Sequence, residues 1–179
     1  MLTYFVHSTS TDNQTGSRSG WRDPPLSAIG IEQAVSLREL ISGRKFDLVY
    51  TSDLTRAVQT AKIALPECEI IQDSRLREMN YGVLNGATSA TFPTDEMWCV
   101  ENRFENGENC VDVQKRMEAF LIDRFDPTKE IAIFAHRFPQ LAMEVILNGV
   151  TWEEAFINDW RTTGDWQPGW TYEEIRSAG

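Results

Sequence analysis

Two short, nearly continuous apolar runs, LTYFV over residues 2–6 and IAIFA over 131–135, each end directly on a histidine, and His7 and His136 are the only two histidines in the chain. Runs of this kind are the pattern of strands buried on both faces, as in parallel sheets covered by helices. In such sheets ligands bind in the crevice outside the carboxyl ends of the strands. Two strands therefore deliver both imidazoles to the same kind of place.

The intervening segments carry a helical period. Ser27 caps a helix predicted over about 28–42, with Ala34, Leu37, Leu40 and Ile41 on one face and Gly43 behind it. Residues 46–50 (FDLVY) predict a second strand; Ser52 or Asp53 then caps a helix carrying Leu54, Ala57, Val58 and Ala61, which Pro66 ends. Residues 69–71 predict a short third strand. A later helix over 111–125 buries Val113, Met117, Phe120 and Leu121 and stops at Asp126-Pro127. The helix after His136 has Pro139 in its first turn and runs to about Leu147, with Gly149 behind it. In the tail, WTYEEI (170–175) reads as an edge strand. Alternating strands and helices predict an α/β fold, a three-layer sandwich with a mostly parallel central sheet. A length of 179 residues suits one domain over 1–179, with a lid or insertion at about 77–110, where Gly82, Gly86, Pro93 and Gly107 break any period.

Composition narrows the partners. Seventeen Lys/Arg against twenty-seven Asp/Glu give a net charge of −10, which excludes a chain built to coat nucleic acid. The charge is uneven: residues 1–62 hold seven basic against six acidic side chains, and residues 63–179 hold ten against twenty-one. An anion site in the first third fits that asymmetry. No apolar run approaches the roughly 20 residues needed to span a bilayer. The N-terminus reads as a strand and not as a signal peptide. Cys68, Cys99 and Cys110 are odd in number and scattered, which suits free thiols and a cytoplasmic location. With two histidines and no Cys-x-x-Cys pair, a structural zinc site is not expected.

A third strand end supplies T-S-D-L-T-R, which puts Arg56 on the first turns of a helix. Arginine suits bidentate recognition of phosphate or carboxylate. Two histidines and an arginine at neighbouring strand ends suggest phosphoryl transfer to imidazole, because a neutral imidazole is a competent nucleophile that forms a covalent intermediate. Cationic neighbours would stabilise the charge on the transferring group.

These segments together resemble the histidine phosphatase superfamily, also called phosphoglycerate-mutase-like. Residues 20–34 (GWRDPPLSAIGIEQA) look like its passage from first strand to first helix, and 51–61 (TSDLTRAVQTA) like its most specific signature. Residues 76–86 (LREMNYGVLNG) resemble the stretch holding its acid/base glutamate, 107–121 (GENCVDVQKRMEAFL) the entry to its later helix, and FAHR (134–137) its second histidine motif. The resemblance implies that His7 is the nucleophile, that Glu78 protonates the leaving oxygen and then activates water, and that Arg56 and His136 line the phosphate pocket. Asn13 and Ser8 are implied as polar contacts to substrate. It implies a phosphomonoester hydrolase acting on a small phosphate ester, without metal or cofactor, with a homodimer left open.

Two motifs depart from the family pattern, at three positions. Its first motif is Arg-His-Gly, and here residues 6–8 are Val-His-Ser; its second reads His-Gly, and here Arg137 follows His136. Arg137 is therefore expected to replace the guanidinium absent at Val6, helped by the N-terminal end of its helix. The alternatives are a non-catalytic phosphoester-binding member, a mutase-type phosphotransferase, and a cysteine phosphatase built on the Cys-x5-Arg spacing of Cys110 and Arg116.

Overall fold

The computed structural model describes residues 1–163 and 169–173. Five strands form one sheet in the order β3-β2-β4-β1-β5. They are β1 (Leu2–Val6), β2 (Leu48–Thr51), β3 (Ile70–Gln72), β4 (Ile131–Ala135) and β5 (Trp170–Tyr172). β1, β2, β3 and β4 pair in parallel, while β5 lies antiparallel against β1 at the edge. The tail strand expected at 170–175 is thus present at 170–172, and its last positions lie outside the described residues.

The helices are α1 (Thr11–Gln14), α2 (Ala28–Leu40), α3 (Thr55–Ala64), α4 (Trp98–Glu101), α5 (Cys110–Arg124), α6 (Arg137–Met143), α7 (Trp152–Ile157) and α8 (Trp160–Thr163). A five-residue π-helical segment, Glu144–Asn148, continues α6 to Gly149. Strand alternation sends Phe5, Val49, Ala132 and Phe134 to one face, where they pack on Leu37 and Ile41 and on Ala61 and Ala64 of α3. Leu2, Tyr4, Ile131 and Ile133 face the other way, onto Val113, Met117 and Phe120 of α5 and Leu141 of α6. The result is the expected three-layer α/β arrangement, with every residue of β4 buried.

Several local readings are amended. Leu40, assigned to the buried face of α2, is 58% exposed, because it lies about 100° around the helix from Ile41, which is buried with Ala34 and Leu37. Neither Ser52 nor Asp53 caps α3. Asp23, from the loop after β1, takes that place, accepting from the Thr55 amide at 2.6 Å and the Thr55 hydroxyl at 2.7 Å. The 77–110 stretch is made of short helical turns around a buried aromatic group, in which Tyr81 packs edge-on to Phe92 (4.9 Å) and Phe104 (5.3 Å). Cys99 and Cys110 are buried there as free thiols, their sulfurs 3.3 Å apart. Cys110 opens a helix and is inaccessible, so the Cys-x5-Arg spacing forms no phosphate loop.

Candidate active site

An open cleft of about 1350 Å³ lies at the carboxyl ends of β1, β2 and β4. His7, Ser8, Asn13, Arg56, Glu78 and Arg137, all singled out from the sequence, line it. His136 lies just beneath, fully buried, with its ring 5.0 Å from that of His7.

His7 leaves β1 with its backbone amide donating to Ala135 of the neighbouring β4 at 2.9 Å, so the two histidine-bearing strand ends are locked in register. Its Nδ1 is 2.7 Å from the Ser8 carbonyl oxygen. A carbonyl can only accept, so the proton sits on Nδ1 and Nε2 keeps its lone pair. Ser8 in turn donates its amide to Thr60 Oγ1, and that hydroxyl donates to the Arg56 carbonyl, which ties the nucleophile's loop to α3. Gly30 allows α2 to approach the same loop, since a Cβ there would lie 2.0 Å from the Thr9 carbonyl oxygen.

Arg56 is 1% exposed. It donates from Nε to His7 Nε2 at 3.2 Å, from one terminal nitrogen to the Arg22 carbonyl at 2.9 Å and from the other to the Gly20 carbonyl at 2.8 Å. None of these partners is a carboxylate. Burial lowers the pKa of this guanidinium, against the charges of Glu78 and Asp23. A buried cation held only by neutral acceptors is the arrangement an incoming anion completes.

Burial and the Arg56 charge push the His7 imidazole down to about 3, against the Ser8 hydrogen bond. His136 is lowered well below the ordinary range by burial, Arg56 and His7. Both rings are therefore neutral at physiological pH. Neither ring nitrogen of His136 has a hydrogen-bond partner among the described residues. Its backbone is fixed by Tyr4, whose hydroxyl donates to the His136 carbonyl at 2.8 Å and accepts from its amide at 3.1 Å. Tyr4 was not singled out from the sequence, where it is one more apolar residue of a strand.

Glu78 sits at the start of α6. Its Oε1 accepts from the Met79 and Phe138 amides, both at 3.0 Å, and its Oε2 from the Arg137 amide at 3.3 Å. The N-terminal N–H groups of α6, expected to face phosphate, thus face this carboxylate. Trp21 Nε1 and Arg116 both donate to the Glu78 carbonyl, at 2.8 and 3.1 Å, and hold its loop in place.

Asn13 lies at the cleft rim, its Oδ1 accepting from the Ser10 amide and hydroxyl in the cap of α1. Arg137 borders the cleft, but all three of its guanidinium nitrogens donate to carboxylates: Nε to Asp159 at 2.6 Å, the others to Glu96 at 2.6 and 2.9 Å. Burial opposes its charge, and Glu96 and Asp159 outweigh burial and raise its pKa. The expectation that this side chain is free to clamp phosphate meets a guanidinium already occupied. Glu96 and Arg161 are further cleft residues that no sequence pattern marked, and none marked the buried Asp159 that pairs with Arg137 and Arg161.

The model of the histidine phosphatase superfamily (branch 1) matches residues 5–164. The chain is 28% identical to the 2,3-bisphosphoglycerate-dependent phosphoglycerate mutase of Bartonella bacilliformis, over 90% of this chain and 87% of that protein. It is 34% identical to a protein named "Probable phosphoglycerate mutase GpmB" from Proteus mirabilis, over 66% of this chain but only 60% of that relative's length. The alpha-ribazole phosphatase from Shigella flexneri superposes with a TM-score of 0.75 at 26% identity, covering 87% of this chain and 83% of that one. The chain belongs to the histidine phosphatase superfamily.

Proposed function

With that membership as the premise, we propose that the protein is a phosphomonoester hydrolase that works through a phosphohistidine at His7 on a small phosphorylated metabolite. The observation that carries the reading is the His7 imidazole, held neutral with its Nδ1 proton on the Ser8 carbonyl and its Nε2 directed to a buried guanidinium. In the first step Nε2 attacks phosphorus, the N–P bond forms and the P–O bond to the leaving group breaks. The leaving oxygen takes a proton from Glu78, for which Oε2, with its single longer contact, is the available atom. In the second step Glu78 accepts a proton from water, which attacks phosphorus and frees His7. Arg56 and one ring N–H of the neutral His136, whose ring lies 5.0 Å from that of His7, stabilise the equatorial oxygens throughout.

The mutase alternative differs only in the fate of the phosphohistidine, and the relatives named as mutases favour it. The named phosphatase neighbour, similar over most of both chains, favours hydrolysis. A panel of aryl and alkyl phosphates tests the reading: stoichiometric release of inorganic phosphate supports hydrolysis, and return of phosphate to an acceptor alcohol supports transfer. Glu78→Gln should slow alkyl phosphates about 10²-fold or more and activated aryl phosphates far less, since a good leaving group needs little protonation. Equal losses would remove Glu78 from the acid role, and no turnover of any ester would leave a binding protein.

A further inference from the structure

Val6 puts a hydrocarbon side chain on the cleft wall beside the nucleophile, where the family motif places a guanidinium. A transferring phosphoryl group spreads its charge over three equatorial oxygens, and Arg56 alone is left on the strand-end side to meet it. Besides Arg56, three arginines border the cleft. Arg137 is saturated by Glu96 and Asp159. Arg18 is stacked on the Phe92 ring at 4.5 Å, in the 77–110 stretch, and unlike Arg161 is not among the charges that act on His7. The third is Arg161 on α8. We propose that Arg161 supplies the second guanidinium for the phosphoryl group, in place of the arginine absent at position 6, and that Arg137 and Asp159 hold it there. This rests on the phosphohistidine reading above.

Asp159 is the anchor. Its side chain is fully buried and shared, Oδ2 accepting from Arg137 at 2.6 Å and Oδ1 from Arg161 at 2.8 Å. Arg137 has Glu96 as well, so Arg161 has part of one carboxylate. Asp159 is the one side chain hydrogen-bonded to the Arg161 guanidinium among the described residues, through a single nitrogen. The Trp160 ring backs the guanidinium at 4.7 Å. Two of its three nitrogens thus keep donors that no described group accepts. The Arg161 charge reaches the reaction centre: after burial and Arg56, it is the further cation that lowers the His7 imidazole. Burial lowers the pKa of Arg161 itself despite Asp159, the same under-compensation seen at Arg56. An oxyanion seated over His7 Nε2 relieves both.

The test uses the full chain, with calorimetric titration of orthovanadate and inorganic phosphate alongside turnover of an aryl phosphate. Arg161→Ala should weaken binding of both anions by about tenfold to a hundredfold, the range set by losing a charge-assisted bond or two. Arg161→Lys should fall between, because it keeps the charge and loses the fork. Adding Val6→Arg to Arg161→Ala should recover at least about threefold of the lost affinity, since a guanidinium at either place serves one charge. Thermal midpoints of the variants show that they fold, as Arg137 still pairs Asp159. Anion binding within about twofold of wild type in Arg161→Ala overturns the proposal, as does a wild-type protein that binds neither anion. The two readings fail separately: a wild type that binds anions through Arg161 without turning over the ester overturns the hydrolase alone. Turnover and anion binding that ignore Arg161 overturn the clamp alone.

Discussion

One wall of the cleft is made of strand ends and the other of ion pairs. His7, Arg56 and His136 stand just past β1, β2 and β4; main-chain groups orient the first two, through the Ser8 carbonyl, the Gly20 and Arg22 carbonyls and the Ala135 carbonyl that fixes the His7 amide, and the buried Tyr4 hydroxyl fixes the His136 backbone. Facing them, Glu96, Arg137, Asp159 and Arg161 come from segments up to 65 residues apart and are joined to one another by side-chain ion pairs. Main-chain orientation survives most substitutions, because every residue type brings a carbonyl. Side-chain ion pairs do not, and each partly exposed one contributes little by itself. The chemistry is therefore placed on the rigid wall, and the contacts that can vary are on the other.

Substitutions on the two walls should separate in size and in kind. Arg56→Met removes the buried cation that touches His7 and should lower kcat/KM on the order of 10³-fold, with the loss in kcat, as for a group that acts on developing charge. A loss confined to KM would place Arg56 in substrate binding only.

Acid should next distinguish the walls, because both buried histidines lie on the first. Their folded pKa values are depressed, His7 to about 3, whereas in the unfolded chain each is near 6.5. Below that pH the unfolded state binds more protons, so their contribution is complete above pH 6.5 and is lost as pH falls toward 3. Denaturant titrations should show stability declining by roughly 1.4–2.7 kcal/mol per pH unit below 6.5, the slope of one to two depressed histidines. In His136→Phe about half of that slope should vanish; an unchanged slope would mean that the histidines are accessible to protons in the folded state.

The smallest effect belongs to the second wall. Glu96→Gln breaks a partly exposed pair while Arg137 keeps Asp159, and it should lower the thermal midpoint by about 2–4 °C, equivalent to roughly 1 kcal/mol. It should raise KM a few-fold and leave kcat within about twofold, the signature of lost uniform binding. A loss in kcat as large as that of Arg56→Met would erase the distinction between the walls.

The same division explains what the sequence made legible. Strand ends carry a local signature, an apolar run that stops at a chemical side chain, so His7, Arg56 and His136 could be read directly. Helix positions followed from caps and period, as with Ser27 and the buried face of α5. Glu78 needed the family resemblance, because a glutamate in a charged stretch has no local mark. The second wall left no trace: Glu96, Asp159 and Arg161 look like surface charges until the chain brings them together. Arg137 was legible as a position beside His136, but its two carboxylate partners lie 41 and 22 residues away. Asp23 capping α3 from 32 residues away is the same kind of non-local contact.

The central claim is that the rigid wall carries the nucleophile, and an acid-free quench of the protein during turnover of a 32P-labelled phosphate ester tests it most directly. The account predicts a single covalent label on the His7 peptide that survives alkali and is released by acid, and none in His7→Ala. Label on another residue, or label that persists in His7→Ala, would contradict it.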